Sequence, residues 1–207
     1  MVEPTIPEDM TKEDKNRALQ YLVFFKKKRC GRIKARGCVD GWPQRAYISN
    51  NKSSSPTVEL GSFFISCVMD ATEGQKVAMV SIPDAFMQIY QEGTVFVKLT
   101  GLMVRLLLKI NPGKYEKHIR WFRGEEVLYI ILKKALYGTL LGAMPFWKKL
   151  AKFIVEKMVF EINPYDWCVE NKTINVKQCM ILCHVDDLKI SHEEDLVIIG
   201  IITNINK

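Results

Sequence analysis

The chain has 207 residues, 48% of them hydrophobic, enough for one sizeable core or two small ones and too much for a wholly disordered protein. Thirty Lys and Arg against 23 Asp and Glu leave a formal charge of +7, which permits a polyanionic partner without requiring one. The six cysteines form no CxxC pair and lie mostly in apolar runs, where a thiol behaves as a small hydrophobe, so they are read as reduced and the chain as intracellular.

The opening MVEPTIPEDMTKEDKN carries acids where a signal peptide needs a basic start. Apolar runs at 127–132 and 196–202 fall far short of the ~20 residues a membrane-spanning helix needs, so no membrane partner is expected. Residues 11–25 read as a helix, with Leu19, Leu22 and Val23 at helical spacing. FKKKRCGRIKARGCVDG follows, with Cys30 and Gly31 as a turn between two short strands. Its seven cations suit a hairpin that grips phosphates, and equally a solvated edge hairpin that uses Lys against aggregation. Residues 40–55 are a loop. Ser55 or Thr57 is placed to cap a helix that turns Leu60, Phe63, Phe64, Cys67, Val68 and Ala71 inward and ends near Gly74.

Residues 76–82 form a short apolar strand that runs into Pro83-Asp84-Ala85-Phe86-Met87. Proline suits the first turn of a helix, so a strand-to-helix junction is expected, with backbone N–H groups free to meet an anion. Strands are expected at 94–99 and 103–110, a helix over 112–122, a turn at Gly124 and a strand at 127–133. A long helix follows Gly138 and runs to about Phe160, with its Met, Phe and Trp stripe in the core. Asn163-Pro164 ends it.

The stretch VKQCMILCHVDDLKIS, residues 176–191, is an apolar strand pattern interrupted by two adjacent carboxylates, Asp186 and Asp187, where a hairpin turns. Like charges side by side are poor strand formers and are tolerated where water or a divalent cation satisfies them. From these two residues alone a solvated Asp-Asp turn is the favoured account of the pair. Zinc at Cys179, Cys183 and His184 is disfavoured, because alternation sends Cys183 and His184 to opposite faces.

Taken together, RIKARGCVDG, SSPTVE, VSIPDAFMQ, LKKALYGTL with FWKKL, FEINPYDWCV, KQCMIL and HVDDLKISH resemble, in order and spacing, the reverse transcriptase of copia-type (pseudoviral) long-terminal-repeat retrotransposons. The likeness is to the branch that reads HVDD at the active site, and it covers residues 21–202. It implies an α+β right-hand polymerase whose fingers span about 21–75, after a leader and helix start at 1–20. The implied palm, at about 76–207, is an antiparallel sheet packed on helices. It also implies a fragment of a longer polyprotein, with the thumb missing, that works in a cytoplasmic virus-like particle or in the nucleus. The implied activity is RNA-directed DNA polymerisation on a primer-template with deoxynucleotides, and the implied cofactor is a pair of Mg²⁺ or Mn²⁺ ions.

Two hard cations need oxygen ligands from separate chain segments. Asp186 and Asp187 supply one segment. The family's other ligand is an aspartate, where this chain has Ser81. A neutral, shorter hydroxyl cannot replace a carboxylate between two divalent ions. By the same resemblance Ile82, Pro83, Asp84 and Ala85 line the nucleotide's phosphates, Phe86 occupies the steric gate against a ribose 2′ hydroxyl, and Lys34 and Arg36 lie near nucleic-acid phosphates. Leu140 and Leu141 stand where relatives carry a polar Gln or Arg. Two readings follow: an impaired polymerase, or a catalytically dead module that binds nucleic acid through its basic fingers.

Overall fold

Short apolar runs bounded by Gly, Asn and Asp, some alternating and some continuous, produce the strands. The computed structural model describes residues 2–49 and 53–206. Its strands are β1 (Val2–Thr5), β2 (Leu19–Lys27), β3 (Ile33–Val39), β4 (Lys76–Ser81), β5 (Phe96–Thr100), β6 (Arg120–Phe122), β7 (Glu125–Leu132), β8 (Glu161–Ile162), β9 (Val169–Ile174), β10 (Lys177–His184) and β11 (Asp187–His192). The α-helices are α1 (Lys12–Arg17), α2 (Leu60–Glu73), α3 (Leu102–Ile110), α4 (Pro112–Tyr115), α5 (Ala143–Met158) and α6 (Asp195–Ile205). The protein is α+β. None of the described helices is long and apolar enough to cross a membrane.

Two compact units interleave along the chain: residues 1–53 with 86–142, and residues 54–85 with 143–207. In the first, the sheet runs β1-β7-β5-β2-β3, with β6 also on β7. Only the short β2–β5 pairing is parallel. Leu19, Val97, Leu99, Leu128 and Ile130 fill its core, and Val104 of α3 packs against them. In the second, an antiparallel sheet runs β4-β11-β10-β9-β8. Val58, Phe63 and Met69 from α2 and the residues before it pack on Val169, Met180 and Leu182.

Several expectations give way. The helix over 11–25 stops at Arg17, where Ala18 turns extended, and the chain continues as β2. Its Leu19, Tyr21 and Val23 alternate inward, so the two-residue period prevails over the helical one. A capping box between Thr11 and Asp14 holds the single turn and a half that remains. The strand at 103–110 is the helix α3: Leu, Met, Arg and Lys favour helix, and Val104, Leu107 and Leu108 recur at its spacing. The helix over 112–122 is one α-turn and a 3₁₀ turn, after which Trp121 and Phe122 enter β6. Beyond Pro83 there is no α-helix. Asp84 is left-handed, at φ 52°, and only a 3₁₀ turn at Ala85–Gln88 follows. The strand-to-helix junction expected there is absent.

The helix expected after Pro56 starts at Leu60, with neither Ser55 nor Thr57 as its cap. Glu59 holds the cap position, and its N–H donates 2.9 Å to Oδ2 of Asp166, over a hundred residues away. Gly74 ends the helix at φ 66°, as expected. Its buried face also differs: Phe63, Ser66 and Asp70 point inward, while Leu60, Phe64 and Val68 are exposed. The reason is electrostatic. Lys189 of β11 is buried beneath α2 and pairs with Asp70 at 2.5 Å, which rotates the acid toward the sheet.

Removing one partner of such a pair leaves a buried charge alone, at a cost of ~3–5 kcal/mol, whereas replacing both with apolar groups is often neutral. Urea unfolding of Asp70→Ala should therefore show a loss of about that size. The double variant Asp70→Ala with Lys189→Met should recover most of it, and a double variant no more stable than the single would show that the pair does not orient α2.

Candidate functional site

The aspartate pair lies at a tight reversal of the chain. His184 pairs with Asp187, so Val185 and Asp186 form a two-residue connection between β10 and β11, and Asp187 is the first residue of β11. The turn thus falls one residue earlier than expected. Val185 is left-handed at φ 59° and Asp186 is not, the pattern of a type II′ hairpin. A glycine normally takes that first place. A β-branched residue there costs ~1–3 kcal/mol and persists only where its neighbours fix the conformation. They do so here: the Ile82 N–H donates 2.7 Å to the Asp186 carbonyl, and Asp187 pairs with Ser81.

Ser81 is thereby directly across from Asp187 on the adjacent strand, where antiparallel partners keep their Cα atoms ~4.5–5.5 Å apart. Ser81 and Asp187 are exposed and Asp186 is half-buried. The structure thus brings together the three positions that the sequence singled out. It supplies no third acid: among the described residues no group of three or more His, Cys, Asp and Glu side chains could hold a metal ion. Two neighbouring carboxylates and a hydroxyl do not fit a pair of divalent cations, which need bridging carboxylate charge from both segments. Nor is there a zinc set. Cys179 and Cys183 are buried, His184 is exposed, and all six cysteines are free.

Of the phosphate-side residues, Ile82 and Ala85 are buried and the Ile82 N–H is already taken by Asp186, so that amide offers an anion nothing. Pro83 and Asp84 are exposed. Phe86 belongs to the first unit, where its ring meets Tyr137 edge-on at 4.8 Å between centroids.

Lys34 and Arg36 lie on β3, opposite Lys26 and Phe24 of β2. Directly opposed residues share a face of the ribbon. With Lys28, these four line a cavity of about 450 Å³ that carries four cations and one phenyl ring. Gly31 makes the hairpin's turn at φ 81°. At the tip, the Arg32 guanidinium 3.4 Å from Cys30 Sγ holds that thiol below its usual range.

Sequence reasoning missed the acids buried behind the aspartate turn. Burial pushes the Asp166 carboxyl up, but N–H groups of Glu59 and Cys168, each at 2.9 Å, and the Ser62 hydroxyl outweigh it and hold the group below its usual range. Glu170 is fully buried on β9, with the Cys183 thiol 3.4 Å from Oε2 as its partner. Burial raises its pKa to about 7, against a lowering by that thiol and with a further rise from Asp166. Burial also carries Cys168 and Cys179 up to about 12, which leaves them inert as nucleophiles. The available signal was slight: an acid next to Val169 at the start of VENKTI, a strand that is buried at its first two residues.

The chain matches no family model and no curated protein.

Because the folded protein holds the Glu170 proton to about pH 7 and the unfolded chain releases it near 4.5, the stability from this group is complete below 4.5 and is lost as pH rises to 7 and above. The loss should reach a few kcal/mol, on the order of 1.4 per pH unit within that window. Glu170→Gln should flatten this limb of the stability-pH curve, and an unchanged limb in that variant would exclude Glu170 as its source.

Proposed function

We propose that this chain is a reverse-transcriptase-like module that binds nucleic acid and whose nucleotidyl-transfer centre is disabled at residue 81. The observation that carries the reading is the pairing of Ser81 with Asp187 at the hairpin turn. A strand from the middle of the sequence and a turn near its end deliver one hydroxyl and two carboxylates to a single patch, the layout a polymerase centre uses with an aspartate in place of the serine. On this reading the second unit, helices on an antiparallel sheet that carries the carboxylates, takes the part of the palm. The first unit, with its basic hairpin, takes the part of the fingers.

The partner is a primer-template duplex of RNA and DNA. Lys26, Lys28, Lys34 and Arg36 offer their charges to phosphates, and the exposed Phe24 ring offers a base a stacking surface. With two carboxylates in place of three, the residues present do not hold the metal pair that transfer requires, so binding outlives chemistry in this chain.

Primer extension on an RNA template in Mg²⁺ or Mn²⁺ should yield almost no product with the natural chain. Ser81→Asp should raise it by about 10² or more, the scale of removing or restoring one strong transition-state interaction. If Ser81→Asp leaves extension unchanged although the duplex still binds, the serine is not what disables the centre. Binding itself should weaken linearly in log salt. Lys34→Ala with Arg36→Ala should reduce that slope by about 1.4–1.8, since each phosphate contact contributes ~0.7–0.9. An affinity indifferent to salt would remove the basic hairpin from the interface.

A further inference from the structure

We propose that the free edge of β4, with the groove between β4 and α2, is the surface through which two copies of this chain pair, edge to edge and antiparallel. This inference does not rest on the nucleic-acid reading. β4 ends the second unit's sheet, and among the described residues its outer edge pairs with no strand. Such edges are usually protected by charge, proline, a bulge or shortness. The sheet's opposite edge, β8, is only two residues long. β4 is six residues long and reads KVAMVS, with neither charge nor proline after Lys76.

The face beside this edge is apolar as well. Val77 is 47% exposed and Met79 67%; Phe63, Cys67 and Ala71 of α2 line the groove with them, and on the same helix Leu60 is 70% and Phe64 58% exposed. The groove holds about 420 Å³, and Lys189 and Asp70, already joined to each other, are among the residues that line it. α2 carries no charged residue before Asp70. A helix apolar on nearly all sides is ordinarily covered on all sides.

The chemistry selects a second copy as the occupant. An antiparallel edge is complementary to itself, because a two-fold axis sets N–H against C=O along both strands. An acidic partner would find no free cation in the groove, since Lys189 is spent on Asp70. Two chains of charge +7 meet here without opposing like charges: Lys76, at the start of the strand, is paired with Asp195 at 2.6 Å. The exposed apolar surface is on the order of 500 Å², toward the top of the range a monomer shows. With the strand backbone added it reaches the low end of specific interfaces, the size of a weak, reversible complex.

Sedimentation equilibrium of the nuclease-treated full chain, from about 1 to 100 µM, should show a dimer whose dissociation constant lies in the micromolar range and changes little with salt. Met79→Lys, at an exposed position where the fold tolerates it, should weaken the dimer at least about tenfold, and Phe64→Lys should do the same, both with unchanged thermal melting of the monomer. Amide exchange over residues 76–81 should slow as protein concentration rises. A chain that stays monomeric throughout overturns the proposal. So does a dimer that both substitutions leave intact, or one that disappears on nuclease treatment.

Discussion

The register of β11 against β4 is the constraint on which the second unit depends. Leu188 opposite Val80 and Ile190 opposite Ala78 define one face of this pair, and Asp187 opposite Ser81 and Lys189 opposite Met79 define the other. A slip of one residue would exchange the faces, sending Asp187 into the core and Leu188 to water. Burial of Leu188 and Ile190 therefore holds Asp187 at the surface beside Ser81, and the same register carries Lys189 under α2 to Asp70. The backbone strain at Val185 is sustained in the same way, by pairing on both sides of the turn.

Around this sheet the acids differ by environment rather than by type. Asp70 meets a cation, Asp166 meets the backbone N–H groups of Glu59 and Cys168, and Glu170 has a thiol as its side-chain partner and no cation, so burial prevails and it keeps its proton up to about pH 7. Asp186 and Asp187 remain where water reaches them. A buried carboxylate is stable as an anion where donors or a cation face it, and otherwise becomes neutral. All of these settings occur within one five-stranded sheet and its helices.

The β2–β3 hairpin divides its labour between its two faces. Phe24, Lys26, Lys34 and Arg36 share one, while Phe25 and Ile33, both largely exposed, lie on the other. Because the side-chain period of a strand is two, FFKKKRCGRIKAR gathers Lys26, Lys34 and Arg36 on one face around Phe24 and leaves Lys27 beside Ile33 and Phe25 on the other. Only the first half of β2 is anchored, through Leu19 and the half-buried Tyr21 and Val23.

Much of this was legible in the sequence. The hairpin turn at Gly31, the helix end at Gly74, the reversal at Gly124 and the strand leading to the aspartates are all local chemistry: left-handed glycines, alternation, and charges that interrupt an apolar run. Elements that compete on local terms were misread, 11–25 and 103–110 among them, because Leu and Met serve either period and packing decides between them. The rotation of α2 toward Lys189 and the capping of that helix by Asp166 were decided by tertiary structure alone, and the meeting of Ser81 with Asp187, expected only through the family resemblance, is made by the register of β4 on β11. Each joins groups roughly a hundred residues apart, and pairing at that distance follows from burial and hydrogen bonding across the whole unit rather than from any local pattern.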